Sequence, residues 1–162
     1  MSNDRIVINA SPMITLCKSN QEALLPQLFR EIVVPGAVWD EVVAGGSNDP
    51  AAQKLSALQW LRRDDASPIA SLVQAWDLGA GETAVLSYAL GNAGYVAVID
   101  DMAARRCARS LQIDIVGTVG IIVLAKRRGL LAEIAPGLQA LQDAGLWLSG
   151  TLIEQLKQQE GE

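Results

Sequence analysis

The chain has 162 residues, half of them apolar, with 13 basic and 18 acidic side chains for a net charge of −5, two cysteines and no histidine. That length predicts one globular domain, residues 1–162, with a core that needs neither disulfides nor a structural metal. The missing histidine excludes Ser-His-Asp and Cys-His catalysis and His-ligated zinc or iron, and the acidic balance excludes a polybasic binder, so any nucleic-acid contact falls to a local basic patch.

Met1-Ser2-Asn3-Asp4 lacks the form of a signal peptide, and no apolar run approaches the ~18 residues of a membrane span, which predicts a cytoplasmic protein with no membrane partner. Residues 5–9, Arg-Ile-Val-Ile-Asn, read as a strand ending at Asn-Ala-Ser-Pro, where Ser11 is expected to cap a helix that has Pro12 at its first position. A helix covers about 21–29. Ile32-Val33-Val34 form a buried strand, and Pro35-Gly36 opens a helix carrying Val38, Trp39, Val42 and Val43. The turn cluster 45–50 leads into a helix to about Leu58, and the stretch 60–63 is ambiguous.

Ile69, Leu72, Val73 and Trp76 stand at i, i+3, i+4 and i+7, which predicts a helix; a second follows from Glu82 to Leu90. The turn 91–94 gives the strand Tyr95 to Ile99, with Asp100 and Asp101 at its carboxyl end. A helix over 102–111, a short strand Ile113 to Val116, Gly117-Thr118 and a helix ending in Lys126-Arg127-Arg128-Gly129 come next, then helices near 137–144 and 150–159. Cys17 and Cys107, far apart in apolar stretches, read as buried fillers in a reducing compartment.

Short apolar strands alternating with helices predict an α/β fold with a parallel sheet covered on both faces. Working groups in such sheets lie just past the carboxyl ends of the strands, which selects Asn9, Ser11, Asp100, Asp101, Gly117 and Thr118. Glu41 and Glu82 lie in or at the start of helices that reach the same edge. Oxygen-rich carboxylates without histidine or cysteine suit Mg²⁺ or Mn²⁺. Each acid also has a structural explanation: Glu82 favours a helix N-terminus by ~0.3–1 kcal/mol, and Asp100 or Asp101 caps the following helix for about 1 kcal/mol. Helical geometry does not choose between Asp40 and Glu41. Arg105, Arg106 and Arg109 form a candidate phosphate-binding rim, for which a single-stranded substrate fits better than a duplex. Gly79-Ala80-Gly81-Glu82-Thr83-Ala84 matches a dinucleotide fingerprint with Asp100 about 20 residues on, but the fingerprint needs a strand before its first glycine, where the spacing is helical.

Ile6 to Ile14, Val34-Pro35 through Glu41, Gly81 to Ala84, Val98 to Asp101 with Ala104-Arg105, and Gly117 to Gly120 with Ala125-Lys126 resemble, in that order, the PIN-domain superfamily, specifically a prokaryotic branch related to the virulence-associated protein C toxins. The resemblance implies a three-layer α/β/α sandwich whose clustered acids bind Mg²⁺ or Mn²⁺ and hydrolyse RNA, often as the toxin of a toxin–antitoxin pair with an antitoxin protein and a homodimer as partners. Carried over by position, it implies Glu41, Glu82 and Asp101 as catalytic acids and Asn9, Glu41, Glu82, Asp100 and Asp101 as metal ligands, with Ser11 and Thr118 supporting. Asn9 stands where most PIN nucleases carry an aspartate. The alternative it raises is a catalytically weakened nucleic-acid- or protein-binding module.

Overall fold

The computed structural model describes residues 4–162; the Met1-Ser2-Asn3 part of the segment read as lacking a signal peptide lies outside the described residues. Five strands form one sheet: β1 (Arg5–Ile8), β2 (Glu31–Pro35), β3 (Leu61–Asp64), β4 (Tyr95–Val98) and β5 (Ile115–Val116). Their order is β3-β2-β1-β4-β5 and every pairing is parallel, with Ile6 opposite both Ile32 and Val96. The α/β sandwich expected from the alternation of elements is therefore the fold. Ile6, Val7, Ile8, Val33, Val34, Ala97 and Val98 are completely buried, as a parallel sheet covered on both faces requires.

The helices are α1 (Ala10–Lys18), α2 (Leu24–Leu28), α3 (Gly36–Val43), α4 (Pro50–Lys54), α5 (Ser71–Gln74), α6 (Ala80–Gly91), α7 (Met102–Ser110), α8 (Thr118–Arg127), α9 (Ala135–Asp143) and α10 (Gly150–Gln159). Central α6 is apolar on most of its surface and packs against β1, β2 and β4. Cys17 and Cys107 are buried thiols in the core. Burial pushes the Cys17 thiol up to about 12, which leaves it without thiolate character at neutral pH.

Two expectations need correction, and one open stretch takes a definite form. The cap of α1 is Asn9, not Ser11: Ser11 is the second helical residue and exposed, and Pro12 is the third. Both placements satisfy proline, because the first-turn amides have no intrahelical acceptor. The ambiguous 60–63 stretch is edge strand β3, where Arg62 and Arg63 are exposed, a charge pattern that discourages further strand pairing. The 69–76 helix is shortened to α5, since only Val73 of its apolar set is buried, while Ile69, Leu72 and Trp76 stay exposed.

The topology fixes the working edge. After β1 the chain turns to β2 on one side, and after β4 it turns to β5 on the other, so the crevice beyond β1 and β4 is the switch point where α/β proteins bind ligands. Asn9 follows β1 directly, its amide donating to the Val98 carbonyl at 3.0 Å, and Asp100 follows β4.

Candidate functional site

Asn9 is 2% exposed. Its Nδ2 donates to Glu82 Oε1 at 3.3 Å, and its Oδ1 is buried with no hydrogen-bond partner. An unsatisfied buried amide oxygen costs on the order of 1–3 kcal/mol, a cost that a bound partner would relieve. Gly81 lies at that place. A Cβ on Gly81 would come within 3.0 Å of Asn9 Oδ1 and 3.3 Å of Glu41 Oε1, so the two oxygens converge over the bare glycine.

Helix α3 carries Glu41 into this convergence while turning its neighbour away: Asp40 pairs with Arg63 at 3.4 Å in solvent. Of the two acids that helical spacing leaves open, Glu41 is the one beside Gly81. Glu82 sits in the first turn of α6, where the exposed amides favour an acid, and is also tied to Asn9. Partial burial, with Glu82 nearby, raises the Glu41 carboxyl above the usual carboxylate range. A raised acid binds protons more strongly folded than unfolded, so the ionised Glu41 destabilises the fold as pH rises out of the usual carboxyl range. In EDTA, Glu41→Gln is expected to raise the melting temperature at pH 7 by about 1–2 °C, the gain fading as pH falls. Thermal denaturation across pH checks this; an unchanged or lowered melting temperature at pH 7 contradicts it.

The aspartate pair is divided between two helices. Both oxygens of Asp100 are bonded to Thr118, Oδ1 accepting from its backbone amide at 2.8 Å and Oδ2 from its hydroxyl at 2.5 Å, and Thr118 is fully buried at the start of α8. Asp101 caps α7, its Oδ2 accepting from the Ala104 amide at 2.9 Å. Of the two residues foreseen as a cap for the following helix, Asp101 takes that role and Asp100 bonds α8 instead; each carboxylate oxygen keeps a further lone pair. Thr118 orients Asp100, and Ser11 remains exposed on α1. Among the described residues no three His, Cys, Asp or Glu side chains come close enough together to hold a metal by themselves. The convergent set is one amide and two carboxylates: Asn9, Glu41 and Glu82.

The basic residues separate into two groups. Arg105, Arg106 and Arg109 lie on α7, whose buried side is Ala104, Cys107 and Ala108, and among the described residues none has a carboxylate within salt-bridge distance. Those at the end of α8 are consumed within the fold. Lys126 and Arg127 bind Glu162 and Glu160 at 2.7 Å, and Arg128 donates to the Leu28 carbonyl. The fingerprint-like run 79–84 follows α5 and an irregular segment instead of a strand, so the dinucleotide reading has no structural basis. Sequence reasoning did not find Gly81 as part of the site. Only its lack of a side chain, next to the oxygens it would otherwise displace, gives it that role.

The family model described as DUF3368: PIN domain matches residues 5–162. No curated protein matches the chain.

Proposed function

The chain belongs to the DUF3368 family of PIN domains, which are generally nucleases acting on nucleic acid, and on that premise we propose that it is a single-domain, Mg²⁺- or Mn²⁺-dependent endoribonuclease of the cytoplasm, the toxin of a toxin–antitoxin pair related to the virulence-associated protein C toxins. The observation that carries this reading is the buried, unbonded Asn9 Oδ1 facing Glu41 Oε1 across Gly81, with Glu82 held by the other end of the same amide. Hard oxygens of this kind, without nitrogen or sulfur, are the donor set a divalent magnesium or manganese ion selects. The residues present fit such an ion.

Asn9, Glu41 and Glu82 would hold the ion, while Asp100 and Asp101 follow β4, the strand next to β1. A bound divalent ion supplies Lewis-acid polarisation of the phosphoryl group and activates water for in-line attack. The chain's own residues contribute the rest. Asn9 Nδ2 holds Glu82 in orientation, Thr118 fixes both oxygens of Asp100, and Asp101 keeps one oxygen uncommitted after capping α7. Arg105, Arg106 and Arg109 on α7 are placed to grip substrate phosphates. An antitoxin and a second copy of the chain are the protein partners this reading entails, and the two buried thiols suit a reducing compartment.

Incubation of labelled RNA with Mg²⁺ or Mn²⁺ against EDTA tests the proposal. Cleavage that requires the ion is expected; cleavage undiminished in EDTA contradicts it. One observation favours a second reading. Asn9 removes a negative charge from the cage, and the remaining acids do not make a three-carboxylate metal group, which suits a weakened nuclease that binds nucleic acid or protein without cutting. Asn9→Asp discriminates the two. On the second reading it creates metal-dependent cleavage where the natural chain has none, whereas robust cleavage by the natural chain rules that reading out.

A further inference from the structure

A groove of about 730 Å³ opens beside Asp100 and Gly117, running between α7, α8 and the segment that joins α9 to α10. That volume is typical of small-molecule sites, which span ~300–1,000 Å³. Its walls are apolar, with Val119 and Val123 on α8 and Leu152 on α10, and its mouth holds Met102 and Trp147. Trp147 is 83% exposed and Met102 61%, although Leu148 next to that indole is anchored in the core. Leaving an indole in water beside an apolar groove forfeits the burial that aromatic side chains ordinarily gain, so it calls for a ligand with a flat apolar face.

The charge at the mouth narrows the class of ligand. Arg105 lines the groove with its guanidinium beside Gly117: a Cβ there would come 2.8 Å from Arg105 Nη1 and 2.9 Å from Asp100 Oδ1. Helix α7 carries Arg105, Arg106 and Arg109 and no acid, while Asp100, which lines the same groove, has both oxygens bonded to Thr118. A planar π face joined to a fixed negative charge answers both features, and the nucleotide unit of a single strand has both.

We propose that this groove receives one nucleotide of a single-stranded substrate next to the cleavage site, its base stacked on Trp147 and its phosphate held by Arg105. This rests on the nuclease reading above and adds a specificity element to it. Trp147 is a binding residue carried by the segment between α9 and α10, far in sequence from Glu41 and Glu82.

The test is equilibrium binding of a fluorescein-labelled oligouridylate of about 10 nucleotides, followed by anisotropy in EDTA so that no cleavage intervenes. The natural chain, Trp147→Ala and Trp147→Phe are compared, with thermal melts to establish that each variant is folded. Trp147→Ala is expected to weaken binding by about 10-fold and Trp147→Phe by less than about 3-fold, while an abasic oligomer binds the natural chain and Trp147→Ala alike. Undiminished binding by Trp147→Ala, the same loss with the abasic oligomer, or no binding of the oligomer by the natural chain overturns the proposal. So does sedimentation of the natural chain as a dimer that Trp147→Ala dissociates without changing oligomer affinity, which would make the groove a protein interface. Binding that follows the expected pattern in a chain that never cleaves RNA leaves this inference standing and removes the nuclease reading.

Discussion

Glu82→Gln is expected to lower ion-dependent RNA cleavage by roughly 100-fold or more while leaving the melting temperature within a few degrees. The substitution keeps the side chain's volume and an oxygen for Asn9 Nδ2 to meet, so the hydrogen bond that ties α6 to the end of β1 persists. What it removes is one of the two carboxylate charges of the site, the one held by Asn9 Nδ2. A divalent ion contributes several kcal/mol of transition-state stabilisation, and each 1.36 kcal/mol is about tenfold in rate, so losing half the local negative charge translates into orders of magnitude. The small cost in stability has a separate origin: at the first turn of α6 the acid interacts favourably with exposed amides, by only ~0.3–1 kcal/mol. Single-turnover cleavage in Mn²⁺, with a thermal melt of the same preparation, checks both halves. A variant that cuts as fast as the natural chain contradicts the assignment of Glu82.

The second large effect falls on stability. Asp100→Ala is expected to cost roughly 2–5 kcal/mol, because it strips the acceptor from two donors of Thr118, a residue with no exposure at all. For a domain of this size that corresponds to a fall of about 5–20 °C in melting temperature. The neighbouring Asp101→Ala removes only the cap of α7, worth about 0.5–2 kcal/mol, and is expected to melt only a few degrees below the natural chain. The asymmetry follows from the number of donors left without an acceptor: Asp100 serves both the backbone amide and the hydroxyl of Thr118, whereas Asp101 serves the single backbone amide of Ala104. Thr118→Val, which removes the hydroxyl and keeps the shape, is expected to fall between the two. Equal melting temperatures for the two alanine variants would contradict the division of the pair between α8 and α7.

Much of this arrangement was legible in the residues themselves, and the parts that were not have physical causes. β1, β2 and β4 stand out because apolar β-branched runs buried on both faces leave no polar face to confuse the pattern. The rule that ligands gather beyond the carboxyl ends of parallel strands then selects Asn9 and Asp100 before any coordinate is known. β3 was ambiguous because Leu-Arg-Arg-Asp on a sheet edge buries too little to impose alternation. The α1 cap is not decided by residue type because Asn9 and Ser11 are both good capping types, and the one that wins bonds Glu82 with its side chain and leaves the helix amides uncapped by it.

Long-range pairings lay beyond reach of local pattern. Asp40 meets Arg63 in solvent while Glu41 faces Gly81, yet Arg63 lies more than 20 residues away on a strand the periodicity did not resolve. Lys126 and Arg127 resemble a surface patch in sequence, but Glu160 and Glu162 return from α10 to neutralise them. Desolvation acts to raise the Glu162 carboxyl, but its hydrogen bond from Lys126, joined by those from the Ile134 and Ala135 amides, pulls it below the usual range.

Calorimetric titration of Mn²⁺ into the natural chain and into the Glu41→Gln, Glu82→Gln double variant probes the cage itself, free of any substrate. Saturable binding by the natural chain that disappears in a double variant still melting cooperatively is the expected result. Mn²⁺ binding of equal affinity and stoichiometry in both proteins, or RNA cleavage by a natural chain that takes up no ion, would show that the oxygens meeting over Gly81 are not where the cation is held.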